Sequence, residues 1–191
     1  AHLLMALLLI TYLLWLIYEV KIVNKTVAKK PNHILNSPVK SLLAIIIIQL
    51  VYGGFMSGKK AALHYPTYPL MNGKLIPDNL WVEKGLNNFT ENITMIHFIH
   101  RLLPWIIVGL YIYIWMKLKN ISTEYDRLKT GIYYIGSLLV IQVILGIKTV
   151  LLDEGQISVF WGTTHQMFGI TLFITTWWFW LSLTRVSNSI R

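Results

Sequence analysis

The sequence predicts an all-α, polytopic transmembrane helix bundle, and three observations carry that prediction. Hydrophobic residues make up 55% of the 191, with a mean hydropathy of +0.56, which is too apolar for a soluble domain of this size. These residues gather into five unbroken runs, each close to the roughly 20 residues that cross a bilayer as a helix. The basic residues behind the formal charge of +9 crowd between the runs, where topology and anionic lipid account for them and nucleic acid is not required. A closed β-barrel would need alternating ten-residue strands instead.

The first run, His2 to Tyr18, is followed by a connecting loop over 19–41 that carries Lys21, Lys25, Lys29, Lys30 and Lys40 against the single acid Glu19. The second, Leu42 to Met56, can extend through Ser57 and Gly58 to Lys59 and Lys60, whose long stems snorkel. Residues 57–94 then form a long loop rich in turn formers: Tyr65-Pro66-Thr67-Tyr68-Pro69, Asn72-Gly73 and Pro77-Asp78-Asn79. This loop is expected to cover one mouth of the bundle, with a short amphipathic helix around Leu80 to Leu86. The third run spans Ile93 to Met116, the fourth Gly131 to Leu152 and the fifth Ile157 to Thr184.

Lys117, Lys119, Arg127 and Lys129 separate the third and fourth runs, and Arg185 and Arg191 follow the fifth. The positive-inside rule places these segments and loop 19–41 on the cytoplasmic or matrix side. Loop 57–94 and the Asp153-Glu154-Gly155-Gln156 turn then face outside. In that orientation His2, His100 and His165 share one layer near the outer surface, on the descending first, third and fifth helices.

No cysteine is present, which removes disulfides, thiolate ligands and covalent C-x-x-C-H haem attachment together. The chain opens at Ala1 with His2 already heading an apolar run, so it reads as a piece of a longer protein.

Ionisable groups inside a membrane run are costly and mark functional sites. Neutral imidazole is an axial ligand for haem iron, and two facing helices can each supply one. His100 and His165 match in direction and depth, whereas an isolated buried histidine is about as readily a packing group. A bare zinc or copper site wants more ligands than this layer offers. Arg101, about 100° around the helix from His100, is expected to pair with a haem propionate, to reach polar groups at the surface or to snorkel. Lys59, Lys60 and Lys148 form a cationic rim at outer helix ends. His97, one turn before His100 and roughly on its face, could support that ligand or replace it, but a surface position near the helix start is expected for it, and His33 and His64 are expected in solvated connecting segments. Pro104 cannot donate to the His100 carbonyl, so a bend is expected there. Trp177, Trp178 and Trp180 read as an aromatic belt.

A weak repeat joins the runs. Gln49-Leu50-Val51-Tyr52-Gly53 and Gln142-Val143-Ile144-Leu145-Gly146 both ascend, and each precedes a histidine-bearing descending helix. Small residues and amides in such helices ordinarily serve close packing. The matched direction and the following histidine favour duplication.

Taken in order, Tyr65 to Gly73, Ile76-Pro77, Glu91-Asn92, Phe98-Ile99-His100-Arg101, Gln142 to Gly146 and Thr164-His165-Gln166 resemble the heme A synthase family, whose loop motif is Tyr-Asn-Thr-Phe-Pro-Leu-Met. The resemblance runs through nearly the whole chain. It implies an eight-helix bundle of two similar four-helix halves. Residues 1–18 would be the last helix of the first half, and 42–191 the C-terminal four-helix haem-binding half. His100 and His165 would then ligate a b-type haem (heme b), and His2 would supply one ligand to the other half's haem site. Catalytic residues are expected outside this chain. The implied activity is stepwise oxidation of a methyl group of heme O to the formyl group of heme A, for terminal oxidase assembly, with heme O supplied by heme O synthase.

The electron partner is left unnamed by the resemblance, and a homo-oligomer is compatible with it. A bacterial inner membrane is favoured over a mitochondrial one. Pro66 in place of the motif's Asn, Lys59-Lys60 in a stretch usually small and glycine-rich, and Lys148 in place of a small polar residue depart from the family. A bis-histidine cytochrome b electron-transfer subunit is the main alternative, and a transporter or purely structural bundle the second.

Overall fold

The structure, a computed structural model, describes residues 2–22, 33–119, 126–151 and 158–188. Six α-helices occur among them: α1 (His2–Ile22), α2 (His33–Gly58), the single turn α3 (Asn87–Thr90), α4 (Ile93–Lys119), α5 (Asp126–Leu151) and α6 (Val159–Asn188). The basic segment around Lys25 to Lys30 and the 153–156 turn lie outside the described residues. At about 1.5 Å per residue, α2, α4, α5 and α6 each exceed the roughly 30 Å of a bilayer core.

Among the described residues three helices are long and apolar enough to cross a membrane: α2 over Leu35–Gly58, α4, and α5 over Leu128–Leu151. Five such runs were expected. α1 contributes a shorter apolar stretch, Met5–Val20. In α6, threonines and the His165-Gln166 pair dilute the apolar character. Its threonine hydroxyls are nonetheless satisfied inside the helix: Thr164 donates to Phe160 O, Thr171 to Met167 O and Thr176 to Leu172 O. That pattern leaves these hydroxyls nothing to ask of lipid.

α2 packs chiefly on α4, and α5 on α6, while the two pairs meet mainly through α2 and α6. α1 lies against α6, where Tyr18 donates its hydroxyl to Leu181 O at 2.8 Å. Leu35, Val39, Leu42, Ile46 and Leu50 recur every three or four residues on α2 and enter one core with Ile107 and Ile114 of α4, Ile135 of α5 and Phe173 of α6. Few residues in the most apolar windows of the three spans are buried (33%, 28% and 17%), so most of each helix faces outward, as lipid requires. α2 begins nine residues before the apolar run Leu42 to Met56, so the helix reaches into the stretch expected as loop, with Pro38 inside it.

Residues 59–92 close one end. Asn72 (φ 50°) and Gly73 (φ 85°) turn the chain so that Met71 and Lys74 exchange backbone hydrogen bonds. The amphipathic helix expected over Leu80 to Leu86 is absent. Gly85 has a positive φ there, and the backbone N–H groups of Val82 and Glu83 donate to Asn88 Oδ1 rather than to a helical ladder. Buried Asn92 caps α4, its Oδ1 accepting from Thr94 N at 2.9 Å and its Nδ2 donating to the Asn79 and Leu80 carbonyls at 3.0 Å.

Candidate functional site

On α4 the inward face runs His97, His100, Pro104, Ile107; on α5 it runs Leu139, Gln142, Gly146; on α6 it runs His165, Gly169, Leu172. These three- and four-residue steps put the polar residues at one level of the bundle, between α2, α4, α5 and α6. His100 and His165 come together there, with ring centroids 6.4 Å apart and planes at 83°. Each imidazole lies against a glycine of the Gln-x-x-x-Gly repeat. A Cβ at Gly53 would stand 3.5 Å from His100 Cε1, and one at Gly146 would stand 3.0 Å from His165 Cε1. Gln49 Nε2 donates to the His100 carbonyl at 3.0 Å, which is the acceptor that Pro104 leaves without its helical donor.

A cavity of about 720 Å³ opens between the rings, within the roughly 300–1,000 Å³ range of cofactor sites. Two imidazoles bound on opposite sides of one metal ion at about 2.0 Å would have centroids roughly 6.3 Å apart. The observed spacing therefore fits a bis-histidine metal, and the apolar walls suit a macrocycle. His165 Nδ1 and the Oε1 atoms of Gln49 and Gln142 are buried without hydrogen-bond partners among the described residues. Groups of three or more His, Cys, Asp or Glu placed to hold a bare ion do not occur among the described residues.

The cations divide into different roles. Arg101 Nε donates to His97 Nε2 at 2.8 Å, and its terminal nitrogens donate to the Tyr65 (2.8 Å) and Leu70 (3.3 Å) carbonyls. His97 is fully buried, against the surface position expected for it, because its other nitrogen, Nδ1, donates to Ala61 O at 3.2 Å. Arg101 and His97 thus strap the loop motif to α4. Lys59 pairs with Glu91 at 2.6 Å, and Lys148 lies 4.7 Å from the Trp161 ring centroid. Lys60 is exposed and lines the cavity mouth. His64 is exposed; His2 and His33 begin α1 and α2, but their side chains lie outside the described residues.

Cytochrome oxidase assembly proteins form the family that matches residues 1–177. The chain belongs to that family. Among curated relatives, the heme A synthase of Nitrosomonas eutropha is 34% identical over 72% of this chain and 38% of its own length. That of Wolbachia pipientis wMel is 30% identical over 98% of this chain and 51% of its own length, and that of Flavobacterium psychrophilum 29% identical over 92% and 50%. The chain thus spans about half the length of the relatives it matches, or less. No solved structure matches it.

Three features of this family member were not anticipated from its sequence: the seating of each imidazole on a repeat glycine, the Arg101–His97 strap and the Asn92 cap. A readable signal existed for the strap, since His97 and Arg101 are four residues apart and must be neighbours on a helix. None existed for the Ala61 carbonyl, 36 residues from its partner.

Proposed function

We propose that this chain is the C-terminal portion of a heme A synthase, and that His100 and His165 are the axial ligands of a b-type haem in its four-helix half. The single observation that carries the reading is the 6.4 Å spacing of the two imidazoles across an apolar cavity. Family membership supports it over a cytochrome b anchor subunit. The whole enzyme would oxidise the methyl group of heme O to the formyl group of heme A, stepwise, for terminal oxidase assembly, with heme O delivered by heme O synthase. It would reside in the bacterial inner membrane with five helices of this chain spanning, α1 completing the other half and His2 serving that half's haem.

A haem clamped by two histidines has no open iron position and supplies electron transfer. The residues of this chain hold and enclose it. Gly53 and Gly146 admit the rings, α2, α4, α5 and α6 exclude water, and the Arg101–His97 strap fixes the loop over the mouth. Among the described cations named for the site, the exposed ammonium of Lys60 would be the one available to a propionate, whereas Lys59 is engaged by Glu91 and Arg101 by backbone carbonyls.

The test uses the full-length protein purified in detergent. His100→Ala and His165→Ala are each expected to abolish the low-spin b-haem spectrum contributed by this half. A spectrum unchanged in either variant overturns the ligand assignment, and a parent protein with no Soret band overturns the haem reading altogether.

A further inference from the structure

The repeat glycines seat the imidazoles, but the repeat glutamines are not explained by that seating. Gln49 and Gln142 each stand one turn earlier on the same face, in the cavity wall. Gln49 Nε2 holds the His100 carbonyl at 3.0 Å and lies 3.2 Å from Nδ1 of the same residue's ring, while Gln49 Oε1 is buried with no partner among the described residues. Gln142 takes the equivalent place on α5. A Cβ at Gly169 would meet Gln142 Nε2 at 2.9 Å, and Gly169 follows His165 by four residues as Pro104 follows His100. Here two atoms are buried and unpartnered among the described residues: Gln142 Oε1, an acceptor, and His165 Nδ1. Leaving both unmade in an apolar bundle is costly.

An imidazole bound to a metal through Nε2 carries its proton on Nδ1 and needs an acceptor for it. We propose that Gln49 and Gln142 are the positioning residues of the two axial histidines, the Oε1 of each accepting the Nδ1–H of its own histidine in the haem-loaded protein. At His100 this asks the Gln49 amide to turn, because its Nε2 now lies 3.2 and 3.4 Å from the two ring nitrogens and Oε1 must take that place beside Nδ1. At His165 the two orphaned atoms satisfy each other. The inference rests on the bis-histidine haem reading above, and the glutamines act on the iron only through the imidazoles. An acceptor on Nδ1–H makes imidazole a stronger ligand and favours ferric iron.

The experiment is a spectroelectrochemical titration of the full-length protein carrying Gln49→Met, Gln142→Met or the corresponding Gln→Glu changes. Methionine keeps the length of the side chain and removes the acceptor. It is expected to raise the midpoint potential of the b-haem and to weaken haem retention by about tenfold or more. Glutamate keeps Oε1 and is expected to hold the potential at or below that of the parent. A Met variant with the parent's potential overturns the proposal, as do Met and Glu variants that both move upward. Should a Met variant fail to accumulate, the Glu variant decides: a potential above the parent's overturns the proposal, and one at or below it supports it. Silent glutamine variants on an intact haem spectrum sink only this inference, whereas a haem spectrum retained in His165→Ala sinks the reading beneath it.

Discussion

The two repeat glycines, Gly53 on α2 and Gly146 on α5, leave different amounts of room, and the difference is measurable. At Gly53 an added Cβ would meet His100 Cε1 at 3.5 Å, an ordinary contact, whereas at Gly146 it would meet His165 Cε1 at 3.0 Å and displace the ring. Overpacking of that kind costs about 1–3 kcal/mol. Gly146→Ala is therefore expected to lower the haem-to-protein ratio of the purified protein several-fold and Gly53→Ala to leave it near parental; equal ratios would mean that the rings are not seated on these glycines. The meeting of His100 and His165 was legible in the sequence because they lie at matched depth on two helices that run in the same direction. Arg101 was only half legible. Its depth suggested an anion or the surface, but its partners are two loop carbonyls 31 and 36 residues away, and nothing local announces them.

At the scale of elements, α4 matters most, because it carries His97, His100 and Arg101 and is started by one residue. Asn92 caps its first turn and also holds the Asn79 and Leu80 carbonyls, so a single side chain ties the loop to the helix. Asn92→Ala is expected to destabilise the protein by about 1–2 kcal/mol from the cap alone, read as a lower thermal midpoint, and to speed proteolysis between residues 72 and 86. Arg101→Leu removes the strap and is expected to expose residues 65–70 to protease; an unchanged digestion pattern would show that the loop holds without it. The Asn72-Gly73 turn was readable because only a few residues accept positive φ at two successive positions. The helix expected over Leu80 to Leu86 failed because its amphipathic spacing was outweighed by distant Asn88, which takes the N–H groups of Val82 and Glu83. α6 was legible as a helix from the run Ile157 to Thr184, and its threonines fit such a run because they bond their own helix.

For the whole molecule, the asymmetry between its two ends decides how the bundle sits in the membrane. One end carries loop 59–92, whose Lys59 and Lys74 are paired with Glu91 and Asp78. The other carries Lys40, Lys117 and Lys119, each within 5.7 Å of the ring centroid of Trp180, Tyr113 or Trp115 respectively. The sequence puts most of its Lys and Arg in the segments at this end, and such an excess is expected on the cytoplasmic side. This chain has no cysteine, so once any cysteine in the rest of the full-length protein is replaced, single substitutions report their side without background. Lys84→Cys, on the exposed loop, is expected to react with an impermeant maleimide in bacterial cells whose outer membrane alone has been opened. Lys119→Cys, exposed at the other end of α4, is expected to react only once the inner membrane is breached. The reverse pattern would overturn the orientation. It would also carry His100, His165 and the Lys60 mouth to the cytoplasmic side, because α4 and its loop are held together by the Asn92 cap and the Arg101 strap and must invert as one unit.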